Sequence, residues 1–210
     1  MLLLLTLACM PCLLERTDRS CEDWPPGAKD TDTGDTAEEE QDTGPSVIST
    51  NEGDGVTQTW VDATAYLDFV YLSLATGLEV EVADPLSSTD WDLGFERYLI
   101  ASNGGVSGPG GVEAVVVTDV SFEDLTTAPS EGYVSDLPDD DDENQNPEYA
   151  LGDWFAYAEE NHTLTPLDQV YVVKAVSGSY YKVQIMDYYD NAGTPAYITF
   201  RWAPVAGPTE

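Results

Sequence analysis

The side chains best suited to chemistry are scarce and unevenly spread. The chain has one histidine, His162, and three cysteines, Cys9, Cys12 and Cys21, all within the first 21 residues. A Cys-His nucleophilic site, a multi-histidine metal site and a cysteine-based zinc site all need donors that the rest of the chain lacks, and a Ser-His-Asp site would have to rest on His162 alone. Carboxylates are the one abundant reactive type, with 40 acidic residues against 7 basic ones and a formal net charge of −33. Among so many, the closeness of any two carries no information, and no pair is marked out for carboxylate-only hydrolysis. The expectation is a binding protein, not an enzyme.

The charge also bears on partners. Nucleic acid is held mainly by Lys and Arg neutralising phosphates, and after residue 50 only Arg97, Lys174, Lys182 and Arg201 remain for that task. Four isolated cations make no patch, so nucleic acid is not an expected partner. The run Asp139-Asp140-Asp141-Asp142-Glu143 has the charge density to hold Ca²⁺ loosely, and a solvated acidic loop is the plainer alternative.

Three regions follow from composition. Residues 1–21 read as an export signal of the lipoprotein type: the apolar run Met1-Leu2-Leu3-Leu4-Leu5-Thr6-Leu7-Ala8 ends in Cys9, the best lipid acceptor of the three cysteines. That run is too short to span a bilayer as a helix, so membrane contact is expected through a lipid anchor alone. Residues 22–55, rich in Asp, Thr, Glu and Gly, read as an acidic tether in which like charge and low hydrophobicity oppose ordering. Residues 56–206 carry all twelve tyrosines and form the expected folded domain.

That domain reads as all-β, mostly antiparallel, with short helical pieces. Strands are expected over 57–63, 66–74, 93–101, 112–118, 170–175, 180–188 and 196–202, and a single helical turn over Ser121 to Leu125 with Ser121 as its cap. The last three strands should form an antiparallel meander through turns at Ser177-Gly178 and Asp190-Asn191-Ala192-Gly193. Alternation places Tyr181, Val183 and Ile185 on one face and Lys182, Gln184 and Met186 on the other. In the final strand Ile198, Phe200 and Trp202 lie opposite Tyr197, Thr199 and Arg201. Two long insertions interrupt the strands: an acidic one over 136–147, and a glycine-rich connector from Asn103 to Gly111. The connector lacks the residue order of a phosphate-binding loop and suits a wide turn or the wall of a ligand pocket.

Two blocks carry a family likeness. Trp91-Asp92-Leu93-Gly94-Phe95-Glu96-Arg97-Tyr98 followed by Asn103-Gly104-Gly105-Val106-Ser107-Gly108 resembles the signature of the HmuY-like haem-binding lipoproteins, in which W-D-[IL]-[AG]-F precedes an N-x-G-x-S-G loop. His162-Thr163-Leu164-Thr165-Pro166, the strand from Val170, and Tyr181 to Tyr189 with Thr199 to Pro204 are similar to the closing meander of that family. The resemblance implies an almost all-β fold with a cavity at one end of the sheets, lipid anchorage to the outer membrane, and haem capture for iron acquisition.

Family members hold haem iron between two histidines or two methionines. Past the signal region this chain has only His162 and Met186 as donors of those types, so these are the candidate cofactor-binding residues. On the residues alone, His162 is equally an exposed loop residue, a turn hydrogen bonder or an axial ligand. Met186 either faces a pocket or fills an irregular gap. The same fold without haem, binding another small ligand or an envelope protein, stays open as the alternative function.

Overall fold

Short alternating segments separated by Gly, Asn and Asp turns can bury one face only by stacking sheet on sheet, and that is the architecture found. The computed structural model describes residues 44–139 and 146–209. The strands in chain order are β1 (Val47–Gly53), β2 (Val56–Asp62), β3 (Val70–Ser73), β4 (Leu78–Val80), β5 (Leu93–Glu96), β6 (Leu99–Ser102), β7 (Glu113–Val117), β8 (Phe155–Ala158), β9 (Thr163–Pro166), β10 (Val170–Lys174), β11 (Tyr180–Tyr189) and β12 (Pro195–Val205). They form a six-stranded sheet in the order β1-β2-β12-β11-β10-β7, a four-stranded sheet β4-β3-β5-β6, and the separate hairpin β8-β9. Paired strands run antiparallel throughout.

The principal core contains Leu72, Leu93, Phe95 and Ile100 of the smaller sheet together with Val61, Tyr171, Val183, Ile185, Ile198 and Phe200 of the larger. Phe95 and Phe200 stack across it with ring centroids 5.3 Å apart. The meander β10-β11-β12 and its inward faces agree with the alternation in the sequence. The opposite face is not simply wet: Val170, Val172 and Ala203 pack there against Phe122, Leu125 and Ala128 in a second, smaller cluster. Lys182 is buried in consequence. Its ammonium donates to the carbonyls of Phe122 at 2.5 Å and Leu125 at 3.0 Å, and burial pushes its pKa down.

Four departures from the expected elements have local causes. The span 93–101 is a hairpin, not one strand: Phe95 pairs with Ile100 and Glu96 with Leu99. Its turn at Arg97 uses a positive φ of 52° without glycine, and the Arg97 N–H is held by the Ala63 carbonyl at 2.9 Å. The strand expected from Tyr66 begins only at Val70, because Leu67 adopts φ 68° and leaves Tyr66 and Leu67 exposed. Ser121 does cap, its hydroxyl accepting the Asp124 N–H at 3.2 Å, but the turn is not continued and the described residues contain no α-helix. Finally, β1 lies inside the stretch 22–55 read as tether. Its polar sequence is that of a mostly exposed edge strand, paired to β2 and held by Ser49 Oγ donating to the Gly77 carbonyl at 2.6 Å.

Candidate functional site

Met186 lies on β11 where the pairing with β12 shifts register between Ile185 and Asp187. An extra residue in an antiparallel pair re-aims its side chain outward, and Met186 is 46% exposed. It borders a groove of about 700 Å³ that Gln58, Trp60, Tyr189 and Thr199 also line. Trp60 is backed by Tyr197, stacked at 5.1 Å. The β11–β12 turn closes one end: Asp190 accepts the backbone N–H groups of Ala192 at 2.8 Å and Thr194 at 2.7 Å, and the Thr194 amide foremost holds its carboxyl below the usual range.

His162 ends the β8–β9 turn with φ 57° and is exposed. Its Nδ1 is paired with the Tyr157 hydroxyl on the same hairpin. The hairpin is moored to β11 by the Leu164 N–H, which donates to the Tyr189 hydroxyl at 3.0 Å. The elements bearing the two candidate donors therefore meet through Tyr189, which also lines the Met186 groove, but His162 is not among that groove's lining residues.

The signature segments are built differently, from buried polar groups that bridge distant parts of the chain, although the indole N–H of Trp91 is buried without a partner among the described residues. Asp92 accepts the N–H of Leu74 at 2.7 Å on one oxygen and that of Val176 at 2.9 Å on the other, so one carboxylate fastens the smaller sheet to the end of β10. Asn103, wholly buried, donates to the carbonyls of Ser88 at 3.0 Å and Trp91 at 2.8 Å, and accepts the Gly110 N–H at 2.8 Å. Gly105 has φ 58°, and a Cβ there would lie 1.8 Å from the Asp136 carbonyl oxygen. Burial pushes the Asp92 and Asp136 carboxyls up, against the N–H donors that favour their charged forms.

Asp136 is the residue that sequence reasoning missed. It begins the acidic insertion, yet it is fully buried and accepts the Ser102 N–H at 2.8 Å, the Ser102 hydroxyl at 2.7 Å and the Ala150 N–H at 2.9 Å. Nothing local distinguishes it from the acidic residues that follow; only its partners, 34 and 14 residues away, do.

Gly94 pairs with Tyr71 across β5 and β3, and a Cβ on it would approach the Tyr71 ring to 3.1 Å and the Phe69 ring to 3.2 Å. The missing side chain lets both rings lie over β5. Beside them Trp91 meets Tyr71 edge to face at 4.7 Å, and these three rings with Tyr149 line a second cavity of about 200 Å³. Val106 and Ser107 of the glycine-rich connector contribute to its wall.

The family model for HmuY protein matches residues 65–202. The chain belongs to the HmuY family. Solved structures agree on the fold. A Bacteroides vulgatus protein described as HmuY-like and haem-binding has a TM-score of 0.57 at 20% identity, over 76% of this chain and 97% of that one. The apo HmuY analogue of Tannerella forsythia has a TM-score of 0.57 at 17% identity, over 78% and 97%. A Bacteroides fragilis protein assigned as a lipoprotein has a TM-score of 0.55 at 21% identity, over 76% and 96%. No curated protein matches the chain.

In this HmuY-family chain the W-D-L-G-F and N-x-G-x-S-G blocks thus hold the two sheets and the connector together. Among the described residues no helix is long and apolar enough to cross a membrane, and no three His, Cys, Asp or Glu side chains cluster to hold a metal ion. The signal region with Cys9, and the acidic run beyond Asp139 read as a calcium loop, lie outside the described residues.

Proposed function

We propose that this HmuY-family protein is an exported, lipid-anchored binding protein, not an enzyme, that takes up haem or a related porphyrin at the bacterial outer membrane for iron acquisition. The observation that carries the reading is the family match over residues 65–202. The Met186 groove supports it in kind: about 700 Å³ lies within the usual size of cofactor sites, and Trp60 and Tyr189 offer flat apolar surfaces beside a thioether. Imidazole with thioether is a donor set that haem iron accepts, so His162 and Met186 are the candidate axial ligands. The chain's part is to supply these donors and to shield the macrocycle; the iron comes with the haem. In this reading Cys9 is the lipid acceptor, and an outer-membrane envelope protein is a further partner.

Haemin titration tests this. The expected result is a Soret shift saturating at micromolar protein, altered when His162→Ala and Met186→Ala are combined. No shift, or a spectrum indifferent to both substitutions, defeats iron ligation by these residues.

A second reading keeps the fold and drops haem, leaving a surface module for another small ligand or an envelope partner. It is favoured by one observation: the His162 imidazole is engaged by Tyr157 and lies outside the groove that Met186 borders. A folded chain that leaves haemin unbound yet retains an envelope component would select it.

A further inference from the structure

We propose that the aromatic cavity over β5 is a second binding site, separate from the Met186 groove, that takes the head group of a quaternary ammonium compound. Among the described residues, none lines both cavities.

Three features on the page specify the ligand. First, the walls are rings. Phe69, Tyr71, Trp91 and Tyr149 converge on one small space that Pro85 and Leu86 also line. A cluster of aromatic faces attracts a cation through the ring quadrupoles, and a quaternary ammonium group suits it because it asks for no hydrogen-bond acceptor. Second, the size is that of a head group: about 200 Å³ is below the range for drug-sized ligands and cofactors.

Third, the surroundings are negative. Among the described residues no Lys or Arg lines the cavity. The Glu96 carboxylate, accepting the Leu67 N–H at 2.9 Å, and the buried Asp136 lie close enough to act on the ring hydroxyls. Burial first, then Glu96 and Asp68, pushes the Tyr71 phenol up; burial first, then Asp136 and Glu96, pushes that of Tyr149 up to about 12. Of these causes, the carboxylates favour a cation at the same place, whereas burial disfavours a charge of either sign. The net charge of −33 adds a long-range attraction of the same sign. Arg97, although next to Glu96 in sequence, donates instead to the Thr64 carbonyl at 3.4 Å.

The site is also built, not incidental. Gly94 is what lets Phe69 and Tyr71 lie flat, and Trp91 is held from behind by Asn103 through its carbonyl. Pro147 and Tyr149 line a neighbouring cavity of about 190 Å³ as well, where Asn146, Glu148 and Asp153 give polar walls. A ligand with a trimethylammonium head and a short polar tail fits the pair of cavities.

Calorimetric titration of the full chain with tetramethylammonium and choline, at ionic strength matched with sodium chloride, tests the assignment. The neutral isostere 3,3-dimethylbutan-1-ol serves as the control. The expected result is saturable binding of both cations, about tenfold or more tighter than the isostere, kept in Tyr71→Phe and weakened about tenfold or more in Tyr71→Leu. Tyr149→Leu, on a loop outside the sheets, gives the same reading should Tyr71→Leu not fold. Binding of the isostere as tight as choline, no saturable binding of either cation, or unchanged affinity in a folded leucine variant overturns the proposal. Haemin at saturation should leave choline binding unaltered, so failure of the haem reading and failure of this one are told apart.

Discussion

The signature end of the molecule and the donor end use polar residues in opposite ways. Around β5, β6 and the glycine-rich connector, Asp92, Asn103 and Asp136 are buried and each joins segments far apart in sequence. At the hairpin tips, His162 is exposed and bonded only within its own hairpin, and Met186 sits half exposed on a bulge. Burying a carboxyl is costly unless donors meet its oxygens, so the first region constrains the whole fold. The second constrains little beyond itself. What identifies the family is thus a set of fasteners, while the groups that would touch iron lie where substitution costs the fold least.

The sharpest way to break this contrast is to remove a fastener. Asp92→Ala should lower unfolding free energy by about 3 kcal/mol or more, since it leaves buried N–H groups of Leu74 and Val176 without acceptors, and Asp136→Ala should do at least as much. Urea denaturation followed by tryptophan fluorescence measures it; a loss under 1 kcal/mol would mean that these carboxylates are not what holds the sheets.

An intermediate effect is expected at high pH. The phenols of Tyr149 and Tyr133 are pushed up to about 12, chiefly by burial, whereas an unfolded tyrosine ionises near 10. The folded chain keeps those protons when the unfolded chain has released them, so this contribution is complete below pH 10 and is lost as pH rises from 10 towards 12. Ultraviolet titration should reveal a late class of phenols, with stability falling over the same window. A single phenolate transition near 10 in the folded protein would contradict it.

The smallest effect should come from the donor end. His162→Ala and Met186→Ala are each expected to change stability by no more than about 0.5 kcal/mol, because both side chains are exposed. A thermal shift comparable to that of Asp92→Ala would erase the distinction between the two regions.

Much of this was legible in the residues, for reasons of period and donor chemistry. Alternation in β11 and β12 fixes which side chains face the core, because the two-residue repeat holds wherever one face packs on a second sheet. The near absence of His and Cys bounds the chemistry on any fold, and the two ordered signature blocks carry the family likeness. Other features were out of reach because their cause is distant. The β5–β6 turn has no turn residue and depends on Ala63 for its hydrogen bond. Strand β1 looks like linker because an edge strand needs little apolar surface. Asp136 becomes a buried fastener only once Ser102 and Ala150 are brought to it, and the aromatic cavity exists only because pairing sets Gly94 beneath Tyr71. Local pattern therefore determined which faces are buried and which reactions the chain lacks the groups to perform. Long-range pairing alone decided which polar residues are structural and where the cavities open, since both depend on groups that meet only in the folded chain.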